Sequence, residues 1–185
     1  MKNPFATFDG YKDACLSKID FDQEQLDILS KYQQKNKGFL YVYSGTGVGK
    51  TYFCAAITNM KINEQKRYCW YQDESSFYNN LFNKMNSKSE STDEEIKKMT
   101  EQEFLIYDDL GCLTFSDPAK KNWHRDVLFS LIDGCGNQMT PMVITSNYAP
   151  DDLYGVFHER FVSRIKDRRN TIIKLKGEDK RLHGV

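Results

Sequence analysis

Between residues 44 and 51 the chain reads Ser44-Gly45-Thr46-Gly47-Val48-Gly49-Lys50-Thr51, and few octapeptides restrict a fold so tightly. The run is close to the phosphate-loop pattern G-x-x-x-x-G-K-[ST], with Ser44 in place of the first glycine. Glycines let the backbone curl until successive N–H groups converge, and the helix that follows adds its positive end to them. Such a turn suits phosphate oxygens. Lys50 would reach the β- and γ-phosphates of a nucleotide, and the Thr51 hydroxyl would ligate Mg²⁺. The flanks are those the motif requires. Residues 39–43 (FLYVY) read as a buried strand, and Phe53, Ala56, Ile57 and Met60 recur at helical spacing behind the loop.

A second apolar run, Phe104-Leu105-Ile106-Tyr107, ends in Asp108-Asp109. A buried strand of this kind carries an acid to the edge of a parallel sheet where ligands bind. Asp108 would hold Mg²⁺ directly or through water, and Asp109 would polarise an attacking water. Aspartate rather than the longer glutamate at 109 implies slow hydrolysis.

Around these two motifs, apolar runs alternate with amphipathic stretches, the pattern of an α/β parallel sheet covered by helices. Further strands are predicted at residues 67–71, 142–146 and 171–175. Helices are predicted at 23–34, from Gly49 to about Met60, along the Phe77, Tyr78, Leu81, Phe82 and Met85 stripe, over 123–132 and over 151–166. The fourth of these is expected to stop near Gly134 and Gly136, and the serine-rich stretch 86–95 reads as an exposed loop. At 185 residues the chain fits a single domain: 1–38 as a linker and helix, 39–185 as the phosphate-loop core.

Composition narrows the function classes. Lys plus Arg and Asp plus Glu both total 26, which argues against coating nucleic acid through bulk charge alone. The five cysteines are widely spaced without a C-x-x-C pair, so free thiols in a reducing compartment are expected. His124, His158 and His183 lack metal-ligand spacing among themselves. No apolar stretch has signal-peptide or membrane-spanning length, so a cytoplasmic protein is expected.

Taken together, the motifs resemble the AAA+ domain of the DnaC/DnaI helicase loaders and their relative, the IstB transposition ATPase. Residues 105–111 (LIYDDLG) are similar to the family's LLILDDLG, and residues 143–147 (VITSN) to its ITSN strand. Residues 159–165 (ERFVSRI) resemble the helix bearing its arginine finger. Residues 177–181 (GEDKR) are similar to its closing GxSYR, with Asp179 and Lys180 in place of Ser-Tyr. The resemblance begins near Phe8 and runs to the end of the chain.

It implies a P-loop NTPase three-layer sandwich, five parallel strands in the order 5-1-4-3-2, and no helical lid after Leu175. By the same resemblance Asn147 is sensor 1, orienting water against the γ-phosphate. Arg164 is the finger that completes a neighbouring subunit's site, which makes self-association part of the chemistry. Arg181 contacts phosphate, although a solvated arginine near the C-terminus reads equally well. The implied function is Mg²⁺-dependent ATP hydrolysis coupled to loading a hexameric replicative helicase onto single-stranded DNA. The Phe77–Phe82 stripe, with Lys84 and Lys88, then offers stacking faces to that DNA, or simply core packing. Loaders of this family carry a helicase-gripping N-terminal domain, and little precedes Phe8. A shortened relative from a phage or mobile element, or a relocated helicase contact, is the corresponding expectation. Three rivals stand beside this reading: a transposition helper of the IstB kind on duplex DNA, a nucleotide-bound modulator without turnover, and a small-molecule P-loop kinase. Asn147, Arg164 and the missing lid disfavour the kinase.

Overall fold

The computed structural model describes residues 3–7, 9–87 and 91–179. Five parallel strands form one sheet: β1 (Phe39–Tyr43), β2 (Trp70–Asp73), β3 (Leu105–Leu110), β4 (Met142–Ser146) and β5 (Thr171–Lys174). Their order is β2-β3-β4-β1-β5, the order expected. Central strands buried on both faces read as continuous apolar runs, and here alternate residues of each run serve opposite cores. Leu40, Val42, Ile106 and Val143 pack with α1 (Gln23–Lys35) and α2 (Lys50–Asn63). Phe39, Tyr41, Tyr107 and Ile144 pack beneath α3 (Glu74–Ser87), α5 (Pro118–Gln138) and α6 (Glu159–Ile165). Helix α4 (Thr92–Thr100) lies against α5 and adds Met99 to the second core. No helix follows β5 among the described residues.

Several predicted boundaries move, each for a local reason. Strand β2 starts at Trp70 rather than Arg67 because the chain is still turning at Lys66 (φ 54°), with Arg67 N–H donating to the Lys61 carbonyl at 3.0 Å. Residues 92–95 belong to a helix, not a loop, and Ser91 is its N-cap. Ser91 accepts a hydrogen bond from Glu94 N–H while the Glu94 side chain accepts from Ser91 N–H, a capping box that nucleates α4 inside a polar stretch. Helix α5 runs through Gly134 and Gly136 to Gln138 and ends at Met139 in the left-handed conformation. Gly134 is a packing residue: a Cβ there would meet Thr100 Cγ2 at 2.9 Å, so its bareness lets α4 approach. The helix expected over 151–166 is broken into a short 3₁₀ turn, Asp152–Gly155, and α6, because His158 caps the new start by accepting from Phe161 N–H. Leu29 and Tyr32 supply the buried face of α1, while Leu26 is 44% exposed.

Candidate nucleotide site

Because every strand is parallel, all five C-terminal ends open on one edge, and ligands of open α/β sheets bind outside that edge. The glycine-rich loop follows β1 directly. Gly47 and Gly49 adopt φ of 75° and 112°, values that side-chain-bearing residues rarely take, and α2 starts at Lys50. The loop amides and the helix N-terminus therefore share one concavity. Lys50 is buried to 6% exposure and its ammonium folds back over the loop, donating to the carbonyls of Ser44 (3.2 Å) and Gly45 (2.9 Å). It also donates to Asn147 Oδ1 at 2.7 Å, so loop lysine and candidate sensor meet, although 97 residues separate them. Thr51 follows Lys50 in the first turn of α2, half-buried.

At the end of β3 the backbone departs from regular strand. Tyr107 pairs with Ile144 and Leu110 with Ser146, which leaves Asp108 and Asp109 opposite the single residue Thr145. This is a bulge, a device that re-aims a side chain at a sheet edge. Asp109 sits at φ 61°, a left-handed conformation that aspartate tolerates better than most residues. The Thr145 hydroxyl ties the bulge together: it accepts from Asp109 N–H at 3.0 Å and donates to Asp108 Oδ1 in a short bond. Asp108, 2% exposed, also accepts from Tyr71 O–H at 3.0 Å through Oδ2 and from Cys54 Sγ at 3.6 Å through Oδ1. Burial beside this carboxylate pushes both the Tyr71 phenol and the Cys54 thiol far up, which keeps them neutral donors.

The chain's closing segment returns to the loop. Leu175 N–H donates to the Tyr43 carbonyl at 2.9 Å, Gly177 lies beside Val48, and the Asp179 carboxylate occupies the space where a side chain on Gly47 would stand. Arg181 lies outside the described residues. Arg164, on α6, pairs with Asp133 of α5 at 2.5 Å and is 38% exposed. It is therefore held by its own chain, on the α5–α6 flank. The site thus brings together Ser44–Thr51, Asp108, Asp109 and Asn147, and does not bring Arg164 into the same set of contacts. Thr145, Tyr71 and Cys54 are site residues that motif reading passed over. Thr145 was within reach, since strand alternation places it on the face of Asp108.

Below Asp109, Glu74 at the start of α3 accepts from Cys112 N–H (2.7 Å) and Leu113 N–H (3.3 Å), fixing the loop after β3. Burial raises its carboxyl to about 7 and lowers His124, 3.5 Å away, to about 4, so the contact is not an ion pair near neutrality.

An all-parallel sheet of this order, with a glycine-rich loop after its first strand and paired aspartates after its third, is the architecture of an AAA+ P-loop domain. Comparison with known proteins agrees. The chain belongs to the family of the bacterial DnaA ATPase domain, whose model matches residues 20–170. The replicative helicase loader DnaI of Bacillus subtilis is 29% identical over 151 residues, covering 80% of this chain and 46% of DnaI. The crystal structure of the DnaC helicase loader superposes with a TM-score of 0.71 at 23% identity, covering 90% of this chain and 98% of that one. A replication initiator DnaA bound to AMPPCP and single-stranded DNA superposes at 0.71 with 15% identity, over 90% of this chain and 51% of its own. The chain spans about a third of the length of the DnaA proteins it matches, 35% for that of Geotalea daltonii, which is 27% identical over 166 residues. No helix is long and apolar enough to cross a membrane among the described residues.

Proposed function

We propose that this chain is a cytoplasmic, ATP-binding and ATP-hydrolysing replication protein that delivers a hexameric helicase onto single-stranded DNA. The observation that supports it most directly is the 2.7 Å hydrogen bond from Lys50 to Asn147, which joins the phosphate loop to the strand of the candidate sensor. The converging amides of residues 44–50 hold the triphosphate, and Lys50 transfers its donors from neutral oxygens to phosphate, a stronger partner. Thr51 and Asp108 offer hard oxygens of the kind Mg²⁺ takes, and among the described residues no three His, Cys, Asp or Glu side chains form a self-sufficient metal cage. When bound, Mg²⁺ neutralises phosphate charge as a Lewis acid. Asp109 accepts the proton of the attacking water, and Asn147 aligns that water. Arg164 leaves Asp133 to reach a neighbour's γ-phosphate, so turnover depends on self-association.

The DNA-facing part of the proposal rests on α3. Phe82 (38% exposed) and Met85 (47%) project from it, Tyr78 stacks on Phe82 at 14°, and the Lys120 ammonium lies 5.7 Å above the Phe82 ring. Aromatic faces beside cations suit unpaired bases. Recovery of a replicative helicase by the tagged protein, with and without ATP, tests the loader assignment. Capture that depends on nucleotide is expected. No capture under either condition, together with assembly on duplex DNA, would transfer the assignment to a transposition helper. A Lys50→Ala variant should lose ATP hydrolysis and most nucleotide affinity; equal, negligible hydrolysis in both proteins would leave a nucleotide-bound modulator.

A further inference from the structure

The Asp108 carboxylate is gripped from three directions by groups that carry no charge. Thr145 approaches from β4, Cys54 from α2 and Tyr71 from β2, and the first two share Oδ1 while Tyr71 takes Oδ2. The register explains how β2 reaches so far. Tyr71 pairs with Ile106, one pleat repeat below Asp108 on the same face of the sheet, so a side chain about two residues long, leaning along the strand, brings its hydroxyl level with the carboxylate. The ring is itself fixed: Phe5, 2% exposed, packs edge-on against it with centroids 4.6 Å apart.

We infer that Tyr71 is a positioning residue for the candidate metal-binding carboxylate, fixing the orientation in which Asp108 would meet a cation. The inference rests on the nucleotide-site reading above and adds to it a residue from the edge strand. Neutral donors orient a carboxylate without cancelling its charge, whereas a lysine or arginine in the same place would compete with the cation for it. Each carboxylate oxygen has more than one acceptor site, so Oδ2 can keep the Tyr71 bond and still accept from the hydrated cation. Groups that orient a metal ligand in this way commonly change metal affinity by about 10- to 100-fold when removed.

Tyr71→Phe deletes the hydroxyl and retains the ring against Phe5. The experiment is a Mg²⁺ titration of binding by a fluorescent ATP analogue, wild type beside the variant, with a parallel series in EDTA. The expected result is a half-saturating Mg²⁺ concentration raised about tenfold, with unchanged affinity in EDTA and a melting temperature that stays well above the assay temperature. An unaltered Mg²⁺ midpoint would overturn the inference. So would equal loss of affinity with and without Mg²⁺, which would make Tyr71 a structural residue only. A wild type that binds no nucleotide in either series would bring down the nucleotide-site reading together with this one. Mn²⁺ in place of Mg²⁺, followed by electron paramagnetic resonance, reads bound cation directly and should show the same loss.

Discussion

The edge of the sheet around residues 44–51, 108–109 and 145–147 and the flank built by α3 and α4 are neighbours with opposite construction. In the first, Lys50, Asp108 and Thr145 are buried and the side chains close on other parts of the chain: Lys50 on Asn147, Thr145 on both aspartates, Tyr71 on Asp108. In the second, Phe77 and Leu81 anchor α3 in the core while Phe82 and Met85 stand in solvent. One region fixes directions and the other displays surface. A site for charge transfer needs the former, since misplaced donors forfeit transition-state stabilisation. A site for a flexible polymer needs the latter, since stacking tolerates variation in the ligand. The two should therefore fail separately when mutated, and substitutions can test how cleanly they separate.

The largest effect is expected at Asp109. Asp109→Asn keeps the left-handed backbone, which asparagine also adopts, and removes the proposed proton acceptor. ATP turnover should fall at least about a hundredfold while binding of a fluorescent ATP analogue and of single-stranded DNA stays near wild type. Turnover within a factor of two would remove Asp109 from the chemistry. Next in size is Phe82→Ala on the displayed flank. Loss of one stacking face should weaken single-stranded DNA binding by about 1–3 kcal/mol, roughly five- to a hundredfold, with nucleotide affinity unmoved. Fluorescence anisotropy with a labelled oligonucleotide reads it directly, and an unchanged isotherm would return the aromatic stripe to plain packing. Gly134→Ala probes the scaffold under that flank. Its Cβ would press on Thr100 Cγ2, so a destabilisation of about 1–3 kcal/mol is expected in denaturant unfolding, with neither ligand's affinity changed at saturating stability.

How much of this was readable beforehand follows the same division. The buried edge was largely legible because its chemistry dictates residue types at fixed spacing: glycines for positive φ, a lysine at the helix start, acids at a strand end. Strand order came from the family resemblance and agrees with the structure. What was illegible arises from contacts distant in sequence. Tyr71 joins the site only because β2 lies beside β3, and the bulge at Asp108-Asp109 becomes visible only when β3 is paired with β4. The flank was misread for another reason. By composition the serine and acidic residues at 91–95 read as solvent loop although S-x-x-E is a helix start, and Gly134 reads as a stop although its absent side chain is what α4 packs on. Local propensity names the residue's habit; tertiary packing decides which habit is used.

The smallest predicted effect lies where the two regions join. Glu74 opens α3, yet its carboxylate holds the Cys112 and Leu113 amides directly behind the aspartate pair. Burial raises its carboxyl from the ordinary 4.5 to about 7. A group whose folded form binds its proton more tightly than the unfolded chain adds stability that is complete below about pH 4.5 and is lost as the pH climbs through 7. Glu74→Gln keeps an oxygen for the two amides and cannot ionise. The melting temperature of the variant minus that of the wild type should therefore rise between pH 4.5 and 7 and level off above, by about 2–4 °C or about 1 kcal/mol for a chain of this size, discounted from the roughly 3 kcal/mol that a shift of this size carries when the site does not relax. His124, lowered to about 4 by burial, titrates with the opposite slope, losing stability as the pH falls, and its 3.5 Å contact with Glu74 makes its response part of the same difference. A difference that is flat across the range would mean that solvent reaches Glu74. The loop after β3 would then be held to α3 by the two amide hydrogen bonds alone, without any cost of charge burial that changes with pH.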